Sequence, residues 1–195
     1  KDKTMKKVLV TLIALSLPTF ALADATKGFY VQADAGHSTI SLKDNDDGET
    51  FTIKNKGFTP RLSAGYDFGD FRVAADYTHY KTFKGIDEVG DDELVNYKAK
   101  FKSVGVSAIY DFNINAPVKP YVGARLGINH ISVNREDETS SENETKMGIG
   151  ALAGVSYEVT PNIALDAGYR YNYWGKFDGL KTQSHEVSAG VRVTF

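Results

Sequence analysis

From Gly28 to Phe195 the chain alternates apolar and polar residues with a period of two, the spacing of strands whose two faces meet different surroundings. Eight such segments can be drawn. In the first, Phe29, Val31, Ala33 and Ala35 share one face, with Gln32 and Asp34 on the other. The second sets Phe58, Pro60, Leu62, Ala64, Tyr66 and Phe68 against Arg61, Ser63, Gly65 and Asp67. The third sets Phe71, Val73, Ala75 and Tyr77 against Arg72 and Asp76, and the fourth Val104, Val106, Ala108, Tyr110 and Phe112 against Ser103, Gly105, Ser107 and Asp111. In the fifth, Val122, Ala124, Leu126 and Ile128 oppose Gly123, Arg125 and Asn129. In the sixth, Ile149, Ala151, Ala153, Val155 and Tyr157 oppose Gly148, Gly150, Gly154, Ser156 and Glu158. The seventh sets Ile163, Leu165, Ala167, Tyr169 and Tyr171 against Asp166, Gly168, Arg170 and Asn172, and the eighth Val187, Ala189, Val191, Val193 and Phe195 against Glu186, Ser188, Gly190, Arg192 and Thr194.

The connections alternate as well. Those at 69–70, 113–119 and 160–162 are short; those at roughly 41–57, 82–97, 133–146 and 174–185 are long and polar. Short turns at one end and long loops at the other predict an all-β fold, an eight-stranded antiparallel up-and-down transmembrane β-barrel. An even strand count places both termini at the short-turn end. Aromatic residues support two interfacial girdles. Phe68, Phe71, Tyr110, Phe112, Tyr157 and Phe195 stand beside the short turns, whereas Tyr77, Tyr169, Tyr171 and Tyr173 stand toward the loops.

A soluble lipocalin-like barrel or sandwich would bury the apolar face and expose the polar one. The polar face here carries Arg61, Arg72, Asp76, Arg125, Asp166, Arg170, Glu186 and Arg192 among small residues. A narrow barrel can hold these inside as paired charges, and because unpaired buried charges are costly, a salt-bridge network filling the lumen is expected. About eight strands leave a lumen just wide enough for side chains, which speaks against an open pore.

Composition adds a compartment. Met5-Lys6-Lys7, the apolar stretch Val8 to Leu17, Pro18 and the small-x-small site Ala21-Leu22-Ala23 read as a secretory signal peptide, residues 1–23, with residues 1–4 upstream of the expected start. The domain 24–195 is then the barrel with four long extracellular loops. Four lysines and one aspartate in residues 1–23 supply +3 of a formal charge of −2, leaving the remainder at −5. An acidic mature chain is not a nucleic-acid binder, which would need a clustered basic face. With no cysteine, thiolate metal sites and cysteine nucleophiles are excluded. No motif implies a cofactor. Ser and His occur without a catalytic signature, so an enzyme is not expected.

The segments GFYVQADA from Gly28, PRLSAGY from Pro60, VKPYVGAR from Val118, LDAGYRYN from Leu165 and VSAGVRV from Val187 resemble the opacity family of outer-membrane barrels. The resemblance covers nearly all the strands and leaves out the loops. It implies adhesion or binding of host surface or serum proteins, including the complement regulator factor H, through those loops. It also implies contact with outer-membrane lipid and recognition by the barrel-assembly machinery, for which the C-terminal Phe195 resembles the usual aromatic signal. The family is often labelled porin, so a narrow channel is one alternative; a structural role in contact with lipopolysaccharide is another.

Three residue sets are candidates for interaction. Acidic clusters fall in the first loop at Asp44, Asp46, Asp47 and Glu49, in the second at Asp87, Glu88, Asp91, Asp92 and Glu93, and in the third at Glu136, Asp137, Glu138, Glu142 and Glu144. They could steer basic partners, collect divalent cations or simply keep the loops solvated. Lys81, Lys84, Lys98, Lys100 and Lys102 cluster at the outer ends of the third and fourth strands, where they could meet lipopolysaccharide phosphates. His37, His79, His130 and His185 all fall near the same rim. A metal site would need such side chains to converge, and rim polarity alone accounts for them.

Overall fold

The computed structural model describes residues 27–44, 51–80, 83–88, 94–135, 142–177 and 180–195. The expected signal peptide lies outside them.

Among the described residues, nine strands run in order: β1 (Gly28–Asp44), β2 (Phe51–Asp67), β3 (Phe71–His79), β4 (Phe83–Glu88), β5 (Leu94–Asp111), β6 (Val118–Arg135), β7 (Glu142–Thr160), β8 (Ile163–Phe177) and β9 (Leu180–Thr194). β3 and β4 lie end to end along β5: His79 faces Lys102, and Phe83 faces Ala99. They are two halves of one stave, so the barrel has eight. Every neighbouring pair is antiparallel, and β1 closes on β9 from Tyr30↔Thr194 to Lys43↔Lys181. The β3–β5 pairing closes the sheet and pairs the backbone within the wall, as hydrocarbon requires, while β4 is paired with β5 alone among the described residues.

The alternation assigns the faces as expected. Phe29 (71%), Leu62 (62%) and Met147 (76%) are largely exposed on the outside. Apolar exposure of this kind recurs on all the staves, which a water-facing wall would not tolerate and a lipid-facing wall needs. Arg61, Arg72, Asp76, Arg125, Asp166, Glu186 and Arg192 are buried on the inside, with Arg170 half-buried beside them. Beside the short turns Phe29, Tyr66, Phe68 and Phe71 form a chain of ring contacts with centroids 5.0, 4.7 and 6.2 Å apart, and Tyr110 meets Phe112 at 5.1 Å.

The long connections differ from expectation in their bounds. β1 and β2 stay paired as far as Asp44↔Phe51, β4 and β5 as far as Glu88↔Leu94, β6 and β7 as far as Val133↔Glu142, and β8 and β9 as far as Phe177↔Leu180. Much of what reads as loop is therefore hairpin. Past the lipid both faces of a strand meet water, so the alternation fades while the backbone pairing continues.

Candidate functional site

Inside the barrel, side chains fill the lumen in tiers. At the short-turn end, Arg72 donates from Nε and Nη2 to the two carboxylate oxygens of Asp111, at 2.5 and 2.7 Å. The Arg72 guanidinium carbon also lies 5.9 and 5.2 Å from the ring centroids of Tyr30 and Tyr121, and that of Arg192 lies 5.8 Å from Tyr30. Arginine stacks on aromatic faces while forking onto a carboxylate, and this tier uses both abilities. One step up, the Tyr121 hydroxyl donates to Asp166 at 2.6 Å and Gln32 donates to Asp34 at 2.9 Å.

The central tier is the most heavily paired. Arg125 donates to both oxygens of Asp76, at 2.8 and 2.7 Å, and to Ser103 Oγ at 3.0 Å. Arg170 lies 3.6 Å from the same Asp76 carboxylate. Arg61 donates to Thr78 at 3.0 Å and to Glu186, and stands 3.9 Å from Asp34. Gly105 makes room for this tier, because a Cβ there would stand 2.5 Å from the Arg125 guanidinium carbon.

An apolar cap covers the charges toward the long hairpins. Tyr80 and Trp174, 2% and 1% exposed, meet edge to face at 5.1 Å and pack with Ile40 and Phe101. Two backbone irregularities place these rings. β3 ends at His79, so Tyr80 sits at the break between the halves of its stave. In β8 the register shifts between Tyr173 and Gly175, and Gly175 takes the left-handed φ of 85° that such a bulge gives most readily to glycine.

Among the charges expected in the lumen, Arg61 pairs with Glu186, Asp76 pairs with Arg125 and Arg170, and Asp166 is instead bonded to the Tyr121 hydroxyl; further members are residues that the pattern reading did not single out. Asp111 and Asp34 are partners of expected arginines, and Tyr30, Tyr80, Tyr121 and Trp174 supply rings to the lumen. Their place in the period-two pattern was the available signal: Tyr121 shares parity with Arg125, and Trp174 with Arg170. The space left over is small. A void of about 40 Å³ lies among Asp34, Arg61, Asp166 and Arg170, room for a water or two. A second, of about 180 Å³, opens among Asp67, Lys119, Glu158 and Arg192 at the short-turn mouth, where Lys119 donates to Glu158 at 2.7 Å.

On the outside, Lys100 and Lys102 are exposed on β5. Lys84 and Lys98 face one another across β4 and β5 in the backbone register, their side chains outside the described set, as is Lys81 altogether. Asp44 ends β1 and Asp87 and Glu88 are the last two residues of β4, again without described side chains, and Glu144 is exposed on β7, 2.8 Å from Lys146. Asp46, Asp47, Glu49, Asp91, Asp92, Glu93, Glu136, Asp137 and Glu138 lie outside the described residues. The histidines do not converge. His185 is bonded to the Tyr169 hydroxyl and stacks on Tyr171 at 5.1 Å, whereas His130 lies 3.2 Å from Thr145 Oγ1. Among the described residues no group of three or more metal-ligating side chains forms.

This barrel, with its lumen filled and its apolar face outward, has close relatives. The model of the opacity family porin protein matches residues 64–195. The chain belongs to the opacity family. It is 32% identical to opacity protein opA57 of Neisseria gonorrhoeae, over 90% of the chain and 100% of that protein. Its structure matches the crystal structure of neisserial surface protein A with a TM-score of 0.67 and 49% identity, covering 86% of this chain and 97% of that one. The attachment invasion locus protein Ail of Yersinia pestis, crystallised with the heparin analogue sucrose octasulfate, shares the fold at a TM-score of 0.53 and 23% identity, over 85% and 99% of the two chains. As an opacity-family member the chain is an outer-membrane β-barrel.

Proposed function

We propose that this opacity-family barrel is a surface adhesin or host-factor-binding protein. It acts through the ends of its long hairpins, which face the outside while both termini face the periplasm. The observation that carries the reading is the asymmetry of the two ends. At one end the staves are joined by links as tight as Gly69-Asp70 and Pro161-Asn162; at the other, paired strands run on past the apolar band. An end that extends this far presents chain to partners and adds little to the barrel core. Residues 1–23 would export the chain, and Phe195 would mark it for the assembly machinery.

The filled lumen supports a surface role over conduction, because the Arg125–Asp76 tier and the Tyr80–Trp174 cap occupy the space a pore would need. The acidic tip residues Asp87, Glu88, Asp91, Asp92, Glu93, Glu136, Asp137 and Glu138 would favour partners with basic patches by steering their approach. The test exchanges 87–93 and 136–138 for short Asn-Gly turns in protein displayed on a non-adherent Gram-negative strain. Binding to epithelial cells and to serum proteins should fall to background. Unchanged binding rejects the proposal, and steady conductance of the refolded barrel in a planar bilayer would favour the channel instead.

A further inference from the structure

The outward face carries a basic row that lumen packing does not explain. In the strand register His79 stands opposite Lys102, Lys102 opposite His130, and His130 opposite Thr145. Paired residues of neighbouring strands share a face, and strands lie about 4.8 Å apart, so the three basic side chains span roughly 10 Å of one level of the wall. Lys100, two residues earlier in β5 and so toward the long hairpins, pairs with Ser132 and adds a second cation above the row.

The surroundings of the row define its ligand. Directly toward the membrane lies a wholly apolar row, Tyr77, Val104, Ile128 and Met147, each exposed on the outer face. Among the described outward residues of β3, β5, β6 and β7 there is no carboxylate to neutralise the cations. Thr145 Oγ1 lies 3.2 Å from Nδ1 of His130, which fixes the ring and presents Nε2. Across the barrel, the row Tyr171, His185, Thr39 and Lys56 differs: His185 is held by two tyrosines, and one lysine stands at the end.

We infer that His79, Lys102 and His130, with Lys100 above them, form a binding site for a lipid-linked phosphate monoester, of the kind borne by the glycolipid of the outer leaflet. Its acyl chains would lie on Tyr77, Val104, Ile128 and Met147. The site is independent of adhesion by the hairpin tips. It requires only that the barrel stands in the membrane with its long end outward.

The experiment uses refolded mature protein in neutral detergent micelles, with bound lipid counted by native mass spectrometry. The probes are bisphosphorylated lipid A, the same lipid with its phosphates removed, and inorganic phosphate. The wild-type barrel should prefer the phosphorylated lipid by at least about ten-fold, since each cation near a charged headgroup is worth about a factor of five. The triple variant H79Q/K102Q/H130Q should lose that preference, while K56Q/K181Q on the other wall should keep it. Heat-modifiable migration in gels verifies folding; should the triple variant not fold, K102Q alone should weaken the preference by about five-fold. Equal binding of the two lipids, or an unchanged preference in the folded triple or single variant, overturns the inference. So does inorganic phosphate competing as well as the lipid, which would make the row a site for free anions.

Discussion

Asp76 and Tyr77 are neighbours in β3 and live under opposite rules. Asp76 is 5% exposed and holds Arg125 by two hydrogen bonds, with Arg170 at 3.6 Å. Tyr77 is 45% exposed on the outer face, beside Val104 of β5. The same contrast runs round the barrel. Inside, identity matters residue by residue, because each charge removed from water needs a particular partner at a particular height. Outside, only class matters, because lipid is a fluid that adjusts to any apolar shape. The barrel is thus specified from within.

The largest test of that contrast removes an inner partner. Asp76→Ala leaves Arg125 without its fork and Arg170 without its nearest carboxylate. Breaking a buried pair from one side costs about 3–5 kcal/mol. Urea unfolding of the vesicle-embedded barrel should report that loss through the fluorescence of Trp174, the one tryptophan in the chain. Adding Arg125→Ala should restore part of the stability, since the stranded charge is then gone. A fully additive double variant would show that the pair is not coupled.

The cap should come next. Trp174→Ala removes the ring that meets Tyr80 at 5.1 Å and packs with Phe101 at 6.0 Å. Truncating a buried aromatic costs about 3 kcal/mol or more. Circular-dichroism melts of the refolded barrel would measure it, with Tyr173→Ala on the outer face as the milder counterpart. Somewhat smaller is a charge placed in the lipid. Leu126→Arg, beside Arg125 in sequence, should destabilise by about 2–4 kcal/mol if its level is near the membrane midplane. A negligible shift in its urea midpoint would place Leu126 at an interface. Gly105→Ala tests the inner tier from the wall side. Its Cβ would press on a guanidinium pinned by Asp76 and Ser103, and overpacking of this kind costs about 1–3 kcal/mol.

The contrast also explains what could be read from the sequence. Faces were legible wherever lipid stands on one side and the lumen on the other, as along Val122 to Ile128, where Arg125 could only point inward. Partners were not, because Asp76 and Arg125 are 49 positions apart and meet only through the closed register of β3, β5 and β6. Asp111 showed its face in the pattern and still gave no sign that Arg72 was its match. At the long-hairpin end the signal failed differently. Beyond the lipid neither face is apolar, so the pairing of β1 with β2 up to Asp44 leaves no alternation to read. The row His79–Lys102–His130 combines both cases, since its residues are visible singly and their adjacency depends on register.

The smallest effect should come from one substitution made twice, at adjacent positions. Ala74 points into the lumen and is 6% exposed; Ala75 points outward, paired with Ala64 of β2 and Val106 of β5. Ala74 lines the void of about 40 Å³ together with Tyr30, Arg72 and Asp76, and that void suits a water better than a branched side chain. Ala74→Leu must therefore displace a ring or a paired guanidinium, and should cost about 1–3 kcal/mol. Ala75→Leu adds the same carbons to a surface that lipid already covers, and its stability should stay within about 0.5 kcal/mol of the parent, as for other surface changes. Because the two positions share a strand and a neighbourhood, propensity and chain-end effects cancel between them. Matching losses in urea unfolding would mean that the outer wall is packed as tightly as the lumen. A loss confined to Ala74→Leu would confirm that side-chain shape is read only on the inside.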